Sequence, residues 1–175
     1  MLLLEKRDAE ADDLLRKTLP VQVRTLGAED ADTLATQAEL ARVMVDEKRY
    51  AEAETLARAT WTVQCKKLGV YHADSMSTLV VLSKALIATG RYPQVKSLFE
   101  TTISQVEQLH APALPMVWRD YGSVAVIAKD YDAAIDHLRK AVALGYDAGD
   151  LADQNEMKPL LDDPRFKALT ATTRK

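Results

Sequence analysis

A 42-residue internal period constrains this chain more than any other feature. Leu26-Gly27 recurs as Leu68-Gly69, and Arg49-Tyr50-Ala51-Glu52-Ala53 recurs as Arg91-Tyr92-Pro93-Gln94-Val95. One step back, Glu5-Lys6-Arg7-Asp8-Ala9-Glu10-Ala11 shares six of its seven residues with Glu47-Lys48-Arg49-Tyr50-Ala51-Glu52-Ala53. Lys129-Asp130-Tyr131-Asp132-Ala133-Ala134 is the next copy, 39 residues beyond Tyr92, and the three lost residues are expected to come from a loop. A fixed period of this length belongs to stacked repeats, in which no unit buries its apolar face alone.

Each period divides into two helical stretches. From about Asp32 to Lys48, Leu34, Ala38, Leu40, Ala41 and Met44 recur at the three- and four-residue steps of one helix face. The pattern restarts at Tyr50 with Ala53, Leu56, Ala57 and Thr60, and ends at Leu68-Gly69, where glycine can take the left-handed conformation that closes a helix. In the second period Asp74 is the expected N-cap, the helix runs through Leu79, Leu82 and Leu86 to Gly90, and Pro93 stands near the start of its partner. The third runs from about Pro112 to Ala128, then from Asp132 to Leu144. Short links force successive helices antiparallel. Composition agrees: among 175 residues are 26 Ala and 23 Leu but only six Gly, two Phe and two Trp, which argues against a sandwich or barrel.

Trp118-x-x-Tyr121-Gly122, followed by Tyr131, Ala134, Leu138 and Ala141, resembles the tetratricopeptide repeat. Leu40-Ala41, Leu82-Ser83 and Tyr121-Gly122 fill its large-small pair, while Ala53, Val95 and Ala134 fill the small position of the second helix, Val95 being a departure expected to push its helices apart. The 42-residue spacing and the Leu68-Gly69-Val70-Tyr71-His72-Ala73-Asp74-Ser75 junction are similar to the longer repeats of kinesin light chain. The resemblance implies an all-α fold of helix-turn-helix repeats stacked in a right-handed superhelix. It divides the chain into an array over 1–146 (half repeat 5–27, repeats 28–69, 70–109 and 112–146) and a C-terminal capping segment over 147–175.

Both ends carry expectations. The helix from Asp8 to about Arg24 matches the second helix of a repeat whose first is missing, and Pro20 inside it should kink or end it early. That unpaired helix is expected to expose Leu14 and Leu15 and to self-associate through them, as a homodimer, or to be covered by an upstream repeat; burying one leucine is worth roughly 1.5 to 3 kcal/mol. Asp163-Pro164 should open a last short helix to about residue 172, with Phe166 and Leu169 sealing the final repeat. The tail looks like the closing segment of bacterial multidomain tetratricopeptide proteins, which implies the C-terminal part of a larger bacterial protein ending at Lys175.

Little here announces chemistry. Lys plus Arg total 23 and Asp plus Glu 26, a net charge of −3 that advertises neither a nucleic-acid surface nor a membrane anchor. Cys65 is the only cysteine, so no internal disulfide forms and a reducing, cytoplasmic setting is expected. His72, His110 and His137 lack metal-ligand spacing, and the acidic stretch from Asp147 to Glu156 fails the alternate-residue pattern of a calcium loop. No glycine-rich phosphate loop or nucleophile motif occurs, so no enzyme activity, metal or cofactor is expected.

What remains is binding. The tetratricopeptide alignment implies a concave wall made of Ala35, Ala38, Arg42 and Val45, then Ser77, Val80, Lys84 and Ile87, then Met116, Arg119, Ser123 and Val126. Arg42, Lys84 and Arg119 on a small, apolar wall would suit a protein or peptide partner bearing an acidic group. Many peptide-binding members carry an asparagine just before the large-small pair; Glu39, Val81 and Asp120 stand there instead. The expected function is a non-catalytic protein-interaction scaffold. The alternatives are a regulatory or substrate-positioning module of a multidomain enzyme such as a serine/threonine kinase, and an oligomerisation module.

Overall fold

The computed structural model describes residues 2–171, with side chains from residue 9 onward, so the expectation about Lys175 lies outside the described residues. Among them the chain is all-α, without a strand. It divides into two compact units, Met1–Arg91 and Tyr92–Lys175.

The first unit holds α1 (Leu2–Thr25), α2 (Ala31–Asp46), α3 (Tyr50–Leu68) and α4 (Ala73–Ala88). Each packs on the next, and α4 also packs on α2. Asp30 caps α2 by accepting the Asp32 N–H at 3.0 Å. At α4 the cap is His72, whose Nδ1 accepts the Asp74 N–H at 3.2 Å; Asp74, expected as the cap, lies inside the helix, in its first turn. Pro20 lies within α1, which nevertheless runs on to Thr25, so the early end expected there does not occur. Leu15 and Leu19 of α1 pack against the cluster of Leu40, Met44, Ala53 and Ala85.

The second unit holds α5 (Tyr92–Gln108), α6 (Leu114–Ile127), α7 (Tyr131–Ala143), 3-10 turns at Ala148–Leu151 and Asn155–Leu160, and α8 (Pro164–Ala171). α6 and α7 form a tight hairpin. A Cβ built on Gly122 of α6 would lie 2.7 Å from both Cγ and Cδ2 of Leu138 on α7, so only glycine admits this approach. The 3-10 turn at Asn155–Leu160 packs on α6, and α8 packs on α7 and on the first 3-10 turn. Met157, Leu160 and Phe166 thereby join Val126, Ile135 and Leu138 in one buried cluster, with Leu169 against its edge. Asp163 opens α8 as expected: its Oδ1 accepts the Arg165 N–H at 2.8 Å, and hydrogen bonds from Arg165 hold its carboxyl down at about 2.

The period is visible in the backbone. Lys48, Gly90 and Lys129 all take positive φ, of 62°, 75° and 62°. Each donates its N–H three residues back, to Val45, Ile87 and Val126, and the next residue donates to Met44, Leu86 or Ala125 at 2.8 to 3.0 Å. This is the same C-terminal closure three times. The three residues missing from the last period come from helix ends and not from a loop. α5 and α6 are each two residues shorter than α3 and α4, while the link between them is one longer.

An ion pair also repeats with the period. Arg49 reaches Asp12 of α1 at 3.2 Å, and 42 residues later Arg91 pairs with Glu54 of α3. In the second unit the corresponding positions are Asp130 and Lys96, paired at 3.1 Å with the charges exchanged. The contact is kept while its polarity reverses.

Candidate partner-binding face

In the first unit, α2 and α4 bring part of the expected wall together. Ala35, Ala38, Glu39 and Arg42 of α2 line a pocket of about 140 Å³. Asp74, Ser77, Thr78 and Val81 of α4 line its other side, with Gln64 contributed by α3. Ala35 and Ser77 are exposed and Ala38 half-buried, as a wall requires. Val45 is half-buried against the Leu40 cluster, outside the pocket lining. Along α4, Val80, Lys84 and Ile87 are half-buried.

The cations differ in what occupies them. Arg42 is held by its own helix: its Nη2 lies 2.5 Å from Glu39 Oε1 and its Nη1 lies 2.7 Å from Asp46 Oδ2. Glu39, hydrogen-bonded by that guanidinium, is held below the ordinary glutamate range. Lys84 makes no ion pair among the described residues. Two pocket-lining residues that the α2–α4 alignment missed are Gln64 and Thr78, 1% and 0% exposed, whose Oε1 and Oγ1 have no hydrogen-bond partner. Gln64 escaped notice because it lies on the second helix of its pair.

The corresponding face of the second unit is largely closed. Met116 is exposed, but Ser123 and Val126 are buried, Val126 within the cluster that Met157, Leu160 and Phe166 complete. These two residues were expected on an open wall, and the chain's own C-terminal segment packs on α6. Arg119 pairs with Asp120 at 2.9 Å and lies over the Tyr146 ring at 5.7 Å. Burial pushes the Asp120 carboxyl up to about 6 although Arg119 pulls it down. In the same unit His137 stacks on Tyr121 with centroids 3.9 Å apart, and burial, reinforced by Lys140, lowers its imidazole to about 4.

Leu14 is 64% exposed, whereas Leu15, expected beside it on an open face, is half-buried under α2. The remaining reactive groups have structural settings. Burial raises the half-buried Cys65 thiol to about 11, and Asp147 caps a 3-10 turn by accepting the Gly149 N–H at 2.8 Å. Among the described residues no group of three or more His, Cys, Asp or Glu side chains is placed to hold a metal ion, and no helix is long and apolar enough to cross a membrane.

Residues 33–74, which comprise most of α2, all of α3 and the start of α4, match the tetratricopeptide repeat family. Over these residues the chain carries a tetratricopeptide repeat. Two solved structures share its fold. Both carry nearly identical TPR-like repeats and are described as kinesin light chain-like proteins of Podosopora anserina. One, a variant with a single substitution, is 21% identical with a TM-score of 0.67, covering 85% of this chain and 70% of its own. The other is 22% identical with a TM-score of 0.65, covering 86% and 70%. No curated protein matches the chain. Tetratricopeptide repeats are, as a class, protein–protein interaction modules.

Proposed function

We propose that this protein is a non-catalytic scaffold that holds an extended segment of a partner protein against α2 and α4 of its first unit. The observation that carries this is the α2–α4 pocket. Small side chains, Ala35, Ala38 and Ser77, leave backbone-scale room between two helices whose opposite faces are buried. A groove of that kind accepts an extended chain without displacing the core. Peptides selected from a random displayed library should shift the amide resonances of Ala35, Ala38 and Ser77, and Ser77→Trp should abolish their capture while leaving helical circular dichroism unchanged. Shifts confined to α1 or α3, or capture unaffected by Ser77→Trp, overturn the proposal.

A second reading is favoured by Leu14, which presents most of its surface to solvent on α1, the helix that also carries the exposed Val21. It makes α1 a self-association surface, giving a homodimer. Light scattering should then show a dimer that Leu14→Glu converts to monomer; a monomer at every concentration excludes it.

A further inference from the structure

We infer that the α2–α4 pocket selects a basic side chain, arginine above all, from the bound segment, an inference that rests on the peptide groove proposed above. Two buried oxygens of the pocket lining, Gln64 Oε1 and Thr78 Oγ1, are left without a hydrogen-bond partner after the fold has made its own bonds. A buried polar group without a partner costs about 1 to 3 kcal/mol, so both gain when a donor enters. The lining carries two carboxylates, Glu39 and Asp74, and one guanidinium, Arg42, which already bonds Glu39. His72 Nδ1 lies 3.6 Å from Asp74 Oδ2, and that nitrogen is already accepting the Asp74 N–H.

An incoming carboxylate would meet two carboxylates, Glu39 and Asp74, and a guanidinium already bonded to one of them. A guanidinium brings five N–H donors in a planar fork and is the more weakly hydrated of the two common cations, which suits several acceptors at a half-enclosed site. Lys84, which makes no ion pair among the described residues, stands a turn beyond Val81 and is not part of the pocket lining. The partner chemistry is therefore opposite to the acidic group that Arg42 and Lys84 imply when they are counted in sequence.

Three peptides, acetyl-Gly-Ser-Xaa-Ser-Gly-amide with Xaa as Arg, Gln or Glu, test this by titration into the full chain labelled with nitrogen-15. The Arg peptide should move the Gln64 side-chain amide and the Thr78 backbone amide saturably, at least tenfold more tightly than the Glu peptide. Asp74→Asn should weaken the Arg peptide several-fold, and Glu39→Gln with Asp74→Asn should remove the preference over Glu. Equal or tighter binding of the Glu peptide at these residues overturns the inference while leaving the groove itself in place. If no peptide moves any α2 or α4 resonance, while library peptides bind elsewhere, the groove and the inference fall together.

Discussion

The first helix of a repeat has two fates in this molecule. In the first unit α2 and α4 keep an open face, beside which Gln64 Oε1 and Thr78 Oγ1 have no hydrogen-bond partner. In the second unit Met116 at the start of α6 stays exposed, but Val126 is buried with Met157 and Leu160 of the chain's own C-terminal segment. The helix pair itself does not account for the difference, because Leu40-Ala41, Leu82-Ser83 and Tyr121-Gly122 are buried alike in both units. The difference lies in the segment C-terminal to each pair. A repeat succeeded by another keeps its wall for binding, and the last repeat uses its wall to end the array.

Removing the seal should break the contrast most severely. Phe166 is buried in the cluster that joins the C-terminal segment to α6 and α7, and Phe166→Ala should cost about 3 to 5 kcal/mol in chemical denaturation. Hydrogen exchange should rise across residues 114–171 while α2 and α3 keep their protection. Uniform loss across the whole chain would show that the two units unfold as one.

Asp120 sharpens the contrast electrostatically. Its equivalents in the first unit are an exposed Glu39 and a buried Val81, whereas Asp120 is an enclosed acid paired with Arg119. Its carboxyl is raised to about 6 in the fold, above its value in the unfolded chain, so the folded state binds the proton more tightly. Stability from this group is therefore present below about pH 4 and is lost as pH climbs through 6. Asp120→Asn should stabilise by roughly 2 kcal/mol at about pH 7.5, with the difference from the parent vanishing near pH 4. His137 works in the opposite sense. Its imidazole is lowered to about 4, so its contribution is present above about 6.5 and disappears as pH falls toward 4. The two partly cancel in the parent, and Asp120→Asn should make acid unfolding steeper. A pH profile unchanged by the substitution would show that the Asp120 carboxyl titrates normally in the fold.

The fold was largely legible because its signal is periodic. A repeat displays each packing position several times, so the period and the closing Leu-Gly ends could be read by aligning the chain with itself, the large-small pairs from the tetratricopeptide signature, and the Asp163-Pro164 start from capping chemistry. The site was less legible, for physical reasons. Arg42 looks like a free cation among the groove positions, yet Glu39 and Asp46, three and four residues away on the same helix, hold it. Val126 looks open until the C-terminal segment is folded onto it, and Gln64 enters the pocket from the helix that the groove rule leaves out.

The exchanged ion pair gives a smaller test of the same comparison. Asp12–Arg49 and Glu54–Arg91 in the first unit become Lys96–Asp130 in the second. These pairs are partly exposed, so each is worth at most about 1 kcal/mol. Lys96→Glu should place like charges together and lower stability by about 1 kcal/mol. Adding Asp130→Arg should recover most of it by giving the second unit the polarity of the first. Failure of the double substitution to recover would tie Asp130 to its other task, accepting the Ala133 N–H to cap α7.

The smallest expected effect lies in the backbone between the paired helices, where the two units share one conformation but not one residue. Position 90 is glycine, while positions 48 and 129 are lysines held at φ of 62°. A left-handed non-glycine residue carries a penalty of roughly 1 to 2 kcal/mol, part of which glycine gives back through its greater freedom in the unfolded chain. Lys48→Gly and Lys129→Gly should therefore each stabilise by about 0.5 kcal/mol, and Gly90→Ala should destabilise by a similar or slightly larger amount. Nothing lies within 4 Å of a Cβ built on Gly90, so that cost would be conformational and not steric. Because the three positions make the same closing hydrogen bonds at well-separated sites, their effects should be additive in thermal melts. A Lys48→Gly gain without a matching Lys129→Gly gain would mean that the last turn is held by contacts the first lacks, with Asp130 and its bond from Lys96 the nearest difference.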